Sequence, residues 1–439
     1  MAMMGEWRNE RFGQMAELVQ DTVHPSDVIG IPYIGLEHIG EGTLQLLGAG
    51  LAEDATSIKS QFKAGDILFG KLRPYFRKVI RAPFDGICST DIWVVRPKAG
   101  VDSGFLFYLM ASDIFIEPLV RASEGTKMPR AKWDFAISLE FPLPPLPEQQ
   151  AIARILGTLN DKIELNRSMN ETLEAMARSI FKSWFVDFDP VQAKAEGREP
   201  AGMDAETAAL FPDDFDETEM GMVPKGWKVG KLGEYLLNFD SKRVPVSGAE
   251  RCKRKGPYPY HGAAGIMDYI DDYLFDGMYV LVGEDGSVIQ EDGFAVIQYV
   301  WGRFWVNNHA HVLQGKGAIS SEQLYLYFQF ETVAPYVTGA VQPKLSQGRM
   351  NGMPFLFAGD AVCRAFAQLV LPFFALLRTN VDCNNTLISM RDALLPMLIS
   401  GELRVKNAKN SLSEHILSDT SDITGRNKEA LYVTQKNVH

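Results

Sequence analysis

Clustered carboxylates, paired histidines, paired cysteines and glycine-rich turns are the patterns that carry metal, hydrolytic and nucleotide chemistry. Each has a candidate in this chain. Asp213, Asp214, Asp216 and Glu217 lie close together, inside an acid run from Asp204 to Glu219. No apolar strand pattern surrounds them to hold the geometry that a metal nuclease needs. His309 and His311, in NNHAH, stand two apart. On a strand they face one side, which suits a DNA contact or a turn as readily as a metal. Cys88, Cys252, Cys363 and Cys383 show no CxxC spacing and no paired histidine, so they read as buried thiols in a reducing compartment. GEDGSV, from Gly283, lacks the strand–GxGxxG–helix context and reads as a β-turn. The chain has no GxxxxGK[ST] phosphate loop and no Asn/Asp-Pro-Pro-aromatic loop of the kind a DNA methyltransferase uses on its target amine. The expectation is a chain that holds no metal and no cofactor of its own.

Charge tells more. The formal net charge is −11, yet it is segregated. Lys59, Lys63, Lys71, Arg73, Arg77, Lys78 and Arg81 face one acid, Asp66; Lys242, Arg243, Arg251, Lys253, Arg254 and Lys255 face Glu250. Positive fields of this kind bind phosphate even on an acidic chain.

The elements that must position these groups come in two copies. At one constant offset Gly125 falls on Gly339, Pro129 on Pro343, Arg130 on Lys344, Asn166 on Asn380 and Asn170 on Asn384; Thr172, Leu173 and Met176 fall on Thr386, Leu387 and Met390. With small shifts Gly70 falls on Gly283 and Trp7 on Trp227. Each copy begins with short apolar runs punctuated by Gly and Pro, which predict strands and turns, and ends in a long helical pattern. The first helix carries a stripe at Ile152, Leu156, Leu159, Ile163, Asn166, Asn170 and Leu173, in steps of four and three. The offset carries it to Phe366, Val370, Phe373, Leu377, Asn380, Asn384 and Leu387. These are coiled-coil seams, and an asparagine in a seam sets register at some cost in stability. Two helices packed antiparallel fit a pseudo-twofold repeat; an amphipathic helix lying on its own globule is the plainer alternative. Pro372 and Pro396 should kink or cap the second helix. No unbroken run of about 18 apolar residues predicts a membrane span.

These helix segments also carry a family resemblance. PLPPLPEQQAIARILGTLNDKIELNRSMNETLEAMARSIFKSWFVDF (Pro142–Phe188) resembles the central conserved region of Type I restriction-modification specificity subunits, and RDALLPMLISGEL (Arg391–Leu403) resembles their second conserved region. TGAVQPKLSQGRM (Thr338–Met350) looks like the end of a target-recognition domain, and GTKMPRAKW (Gly125–Trp133) like its partner in the first half. In one departure, GDAVCR (Gly359–Arg364) stands where the second helix should start as the first does at Pro145–Gln149, and an unusually apolar LVLPFFALLRTN follows.

The resemblance implies an α+β chain with two β-rich target-recognition domains separated by two long antiparallel coiled-coil helices. The expected boundaries are residues 1–146 (first recognition domain), 147–188 (first helix), 189–224 (acidic linker), 225–358 (second recognition domain), 359–404 (second helix) and 405–439 (flexible tail). It further implies a non-catalytic, cytoplasmic protein of a bacterium or archaeon that binds double-stranded DNA and no membrane. Two modification (methyltransferase) subunits dock on its helices and restriction (translocase and nuclease) subunits join them. S-adenosylmethionine, ATP and Mg belong to those partners. Ile180, Phe181, Trp184 and Phe185 suit either a modification subunit or the chain's own globule.

Residue types then nominate contacts. Lys71, Arg73, Arg77 and Lys78 in the first half, with Lys242, Arg243, Lys253, Arg254 and Lys255 in the second, suit phosphates. Arg73, Arg130, Asn307, Asn308, Gln342 and Arg349 suit base edges, with Lys344 at the repeat position of Arg130. Tyr75, Tyr258 and Tyr260 suit sugars or bases. About 26–30 paired helical residues, at ~1.5 Å rise, span roughly 40–45 Å, against ~34–36 Å for one turn of DNA. The expected target is therefore two unlike short blocks around an unspecified gap. Two other classes of reading stand beside this one: a methyltransferase or nuclease with diverged motifs, and a duplicated coiled-coil scaffold that binds only proteins.

Overall fold

The computed structural model describes residues 7–123, 128–218, 221–339 and 341–405. The chain forms two compact units, Met1–Glu164 with Asn384–His439, and Leu165–Cys383.

In the first unit, β1 (Ile67–Gly70) and β2 (Ile92–Pro97) are the inner strands of a four-stranded antiparallel sheet, flanked by Ala16–Leu18 and Val79–Arg81. Ile67–Phe69 and Ile92–Val95 are buried without alternation, because both faces of these strands are covered. A five-stranded sheet lies beside it and contains one parallel pairing, Tyr33 with Ile87. The helix Ser103–Ala111 buries every residue from Phe105 onward, so it shows no amphipathic stripe. Asp102 caps it by accepting from the Phe105 amide at 3.0 Å.

The second unit repeats this plan. β3 (Tyr279–Gly283) and β4 (Ala310–Gly315) are the inner strands of a four-stranded sheet of the same order, flanked by Leu236–Asn238 and Ile297–Val300. The neighbouring sheet again has one parallel pairing, Tyr260 with Trp305, and the following helix, Ser321–Phe330, is capped by Ser320. In each unit a strand pairs with one just before a long helix: Arg8–Arg11 with Glu140–Leu143, and Lys228–Lys231 with Pro354–Phe357.

Those helices are α1 (Leu146–Phe185) and α2 (Asp360–Ser400). Within the first unit Ile152 and Leu156 of α1 share a core with Leu398 and Ile399 of α2. Asn384 donates to the Ile163 carbonyl at 3.2 Å, and buried Arg391 reaches Asn160 at 3.4 Å. Within the second unit Asn380 meets Asn170 at 2.8 Å, and Phe366 packs on Phe185 at 5.0 Å between ring centroids. In each unit rising α1 numbers meet falling α2 numbers, so the segments run antiparallel. Ile152, Leu156, Leu159, Ile163, Asn166, Asn380 and Asn384 are buried; Asn170, Leu173, Leu377 and Leu387 are half-buried.

Several expectations need correcting. Near the start of α2 the buried positions are Val362, Cys363, Phe366, Val370 and Phe374, while Phe373 is half-buried. Steps of four turn that face toward the globule's aromatic residues, and Phe374 lies 5.1 Å from Tyr299. α2 begins at Asp360 despite the divergent GDAVCR, and it runs through Pro372 and Pro396. In the first unit the helix start is plugged by Gln149, which accepts from the Asp102 amide at 2.7 Å. In the second unit Cys363 occupies that place, with Gln323 donating to its sulfur at 3.8 Å. The acidic segment is folded rather than a bare linker: it forms helices Asp189–Ala195 and Ala205–Ala209 and the hairpin Phe215–Thr218/Gly221–Pro224, with Val191 and Phe211 in the core of the second unit. Phe181, Trp184 and Phe185 are buried in that same core and Ile180 packs against it, so they serve their own unit. By length and composition α2 is apolar enough to cross a membrane, at a mean hydropathy of 1.6 over 18 residues; its buried side joins the core of the second unit from Val362 to Phe374 and that of the first unit from Leu395 to Ile399. The tail from residue 406 lies outside the described residues.

Candidate nucleic-acid interface

The turn that leaves β1 carries the first basic run. Arg73 (φ 51°, ψ 64°) and Arg77 (φ 53°, ψ 42°) are both left-handed and flank the single 3-10 turn Pro74–Phe76. Non-glycine residues rarely adopt this conformation unless their surroundings hold them there. The Arg73 amide donates to the Pro129 carbonyl at 2.7 Å, the Lys71 amide to the Asp91 carbonyl at 2.9 Å, and the Ala131 amide to the Lys71 carbonyl at 2.9 Å. Arg130, on the strap that crosses the turn, holds Asp91 at 3.0 Å.

Side chains divide by what already occupies them. Lys78 donates to the Leu36 carbonyl at 2.8 Å, and Arg77 pairs with Asp113. Arg73 and Tyr75 are exposed, and Arg73 lies over the Phe76 ring at 5.9 Å. Among the described residues neither Lys71 nor Arg73 has a carboxylate partner.

The second unit builds the same turn after β3. The Gly286 amide donates to the Pro343 carbonyl at 3.1 Å, the Glu284 amide to the His309 carbonyl at 2.8 Å, and the Leu345 amide to the Glu284 carbonyl at 2.9 Å. Leu72 bridges Arg130 in one unit as Asp285 bridges Lys344 in the other. The repeat read from the sequence thus recurs bond by bond. Side-chain charge does not recur, for the second turn carries Glu284 and Asp285. Gln342 donates to Asp285 at 2.7 Å, and Lys344 lies 3.8 Å from Glu284.

Arg243 is placed inward. It bonds Glu284 at 2.7 Å and the Ala310 carbonyl at 2.6 Å, beside a fully buried His311. The His311 ring meets Asp240 at 2.6 Å through Nδ1 and the Leu345 carbonyl at 2.8 Å through Nε2. Burial pushes the Asp240 carboxyl up, but His311, the Val312 amide and Asn238 outweigh it and hold the group below its usual range. Ligand atoms of Asp240, Glu284 and His311 lie within 4.8 Å of one another. Arg243 and Lys344 already supply there the positive charge that a cation would bring.

The second basic run is largely neutralised. Arg251 and Lys255 pair with Asp268, and Arg254 pairs with Asp271 at 2.9 Å. Lys253 and Lys242 are exposed, with Lys242 over the Phe239 ring at 5.1 Å. Tyr260 is buried, and its hydroxyl accepts from the Val246 amide at 2.9 Å. Tyr258 is half-buried against Tyr273. Asn307 is buried and accepts from the His309 amide at 2.8 Å, so it shapes the turn, while Asn308, Gln342 and Arg349 are exposed. An open cleft of about 500 Å³ lies between Ala263–Met267, Asp285–Ser287, Asn307, His309 and Gln342. Ile266 and Met267 on its rim are exposed apolar residues. Sequence reasoning missed them because two apolar residues opening the short strand Ile266–Ile270 read as ordinary strand positions.

Comparison with known proteins agrees with this architecture. The model of the Type I restriction modification DNA specificity domain matches residues 4–175 and again 224–355. The Type I restriction enzyme MjaIX specificity subunit of Methanocaldococcus jannaschii is 28% identical over 327 residues, covering 71% of this chain and 72% of the relative. The HindI specificity subunit of Haemophilus influenzae is 26% identical over 406 residues, covering 79% and 88%. The crystal structure of a Type I restriction-modification system S subunit from M. genitalium shares the fold, with a TM-score of 0.55 at 16% identity over 91% of this chain and 97% of that one. With two family matches that together span most of its length, this chain belongs to the Type I restriction modification DNA specificity family.

Proposed function

We propose that the chain reads a bipartite, asymmetric site on double-stranded DNA, one block per unit, and leaves the chemistry to other subunits. The observation that carries this reading is one turn architecture built twice with different side chains: Lys71, Arg73 and Tyr75 in the first unit, Glu284, Asp285 and Gln342 in the second. Identical frames with unlike side chains suit two unlike blocks. Lys71, Arg77, Lys78, Lys242, Lys253, Arg254 and Lys255 contact phosphates in this reading; Arg73, Arg130, Asn308, Gln342, Lys344 and Arg349 face base edges, with Tyr75 and Tyr258 against sugars. Arg243 and Asn307 act from within, by holding the frame.

The paired helices serve as a spacer that fixes the gap between blocks. Two modification subunits dock on them, and the exposed Leu165, Met176, Leu369, Leu371 and Leu376 favour a protein partner there. Restriction subunits complete a cytoplasmic complex. S-adenosylmethionine, ATP and Mg serve the partners, and no membrane is involved. Titration of the full chain with random duplex at two salt concentrations tests the reading. Log affinity should fall linearly with log salt, whereas a protein-only scaffold would show no such binding.

A further inference from the structure

Arg73 and Gly286 occupy the same place in the two turns. Both are left-handed, with φ of 51° and 83°, and each donates its amide to the corresponding proline carbonyl, Pro129 or Pro343. The fold therefore requires positive φ at this position. Glycine meets that requirement without steric cost, and a residue with a Cβ does not. A Cβ built on Gly286 finds nothing within 4 Å, so the frame also leaves room for a side chain that points into open space.

The first unit thus accepts strain to present a guanidinium where its sister turn presents none. Its own fold makes little use of that group: Arg73 is exposed, its guanidinium lies over the Phe76 ring, and no carboxylate partners it among the described residues. Arg77, the other strained arginine of the turn, is by contrast tied to Asp113. We infer that Arg73 is a specificity-determining residue of the first unit, its planar fork reading a guanine through N7 and O6 in the major groove. The second unit, with Gly286, reads no base from this position. Paired N–H donors on a rigid fork match guanine's two acceptors, and a point-charge lysine does not. The inference rests on the proposed bipartite reading.

The test is selection of sites by the full-length wild-type chain, R73G and R73K from a randomised duplex library, with thermal unfolding in parallel. R73G should unfold no lower than wild type, because glycine relieves the left-handed strain. Both variants should lose preference by about tenfold to hundredfold at one G·C pair of one block, with the other block unchanged. Three outcomes would overturn the inference: selectivity retained by R73G, loss at a pair other than G·C, or affinity lowered evenly across all sequences with a shallower salt slope, which marks a phosphate contact. A wild-type chain that selects no two-block site overturns the proposed function and this inference together.

Discussion

The side-chain amide of Asn380 donates to the Oδ1 of Asn170 at 2.8 Å, and Asn170 in turn donates to the Leu377 carbonyl at 3.3 Å. Two polar residues of the seam thus satisfy one another. Asn380→Ala should therefore cost about 1–3 kcal/mol, since it strands the side-chain oxygen of the half-buried Asn170. The double change of Asn170 and Asn380 to leucine should cost less than Asn380→Ala alone. Urea unfolding of wild type and both variants checks the order; equal losses in the two variants would show that the pair does not act as a unit.

Arg243 and Lys253 belong to one basic run but have different fates. Arg243 is nearly enclosed between Glu284 and Asp240, and Lys253 is exposed. Arg243→Ala should lower stability by about 1–3 kcal/mol, because the part-buried Glu284 loses its 2.7 Å partner and keeps Lys344 only at 3.8 Å. Lys253→Ala should stay within ~0.5 kcal/mol and should instead weaken DNA binding evenly, reducing the salt slope by about 1. Calorimetry and salt titrations separate the two roles, and a stable Arg243→Ala protein would contradict the inward placement.

Asp240 gives a pH dependence with a definite sign. Its folded-state pKa is held below the usual 3.8. The carboxylate therefore stabilises the fold above that value, and the contribution is lost as pH falls through the depressed one. Asp240→Asn should be less stable than wild type near neutrality, with the gap closing below about pH 4. Denaturant midpoints across the acid range test this; a gap that stays constant would remove the carboxylate's charge from the account.

Burial pushes the Cys88 thiol up to about 12 and the Cys363 thiol up to about 11, while Cys252 is exposed. Iodoacetamide at mildly alkaline pH should label Cys252 in the native protein and spare Cys88 and Cys363, because the thiolate is the reactive form. Peptide mass spectrometry before and after denaturation reads this out. Native labelling of Cys88 would mean that the sheets of the first unit open readily.

Much of this architecture is legible in the residues. The repeat that sets Gly70 on Gly283, Pro129 on Pro343 and Arg130 on Lys344 recurs as matched hydrogen bonds, because a turn's backbone requirements leave a mark on sequence. The asparagines of the seam were legible for the same reason. Charge was less so. Lys255 and Arg254 read as free, yet strand pairing brings Asp268 and Asp271 back onto them. Asn307 reads as a base reader and is instead a buried turn-former. The acid run around Asp213 reads as a linker because its few apolar anchors, Val191 and Phe211 among them, are too sparse to show a period. Whether a polar side chain faces solvent depends on partners distant in sequence, and local pattern does not hold that information.

The central claim is that two unlike reading heads act on one duplex. Site selection by the full-length chain from a randomised duplex library measures this most directly. The account predicts two short, different blocks separated by an unspecified gap of constant length. A single continuous block, or two identical blocks in inverted repeat, would contradict it.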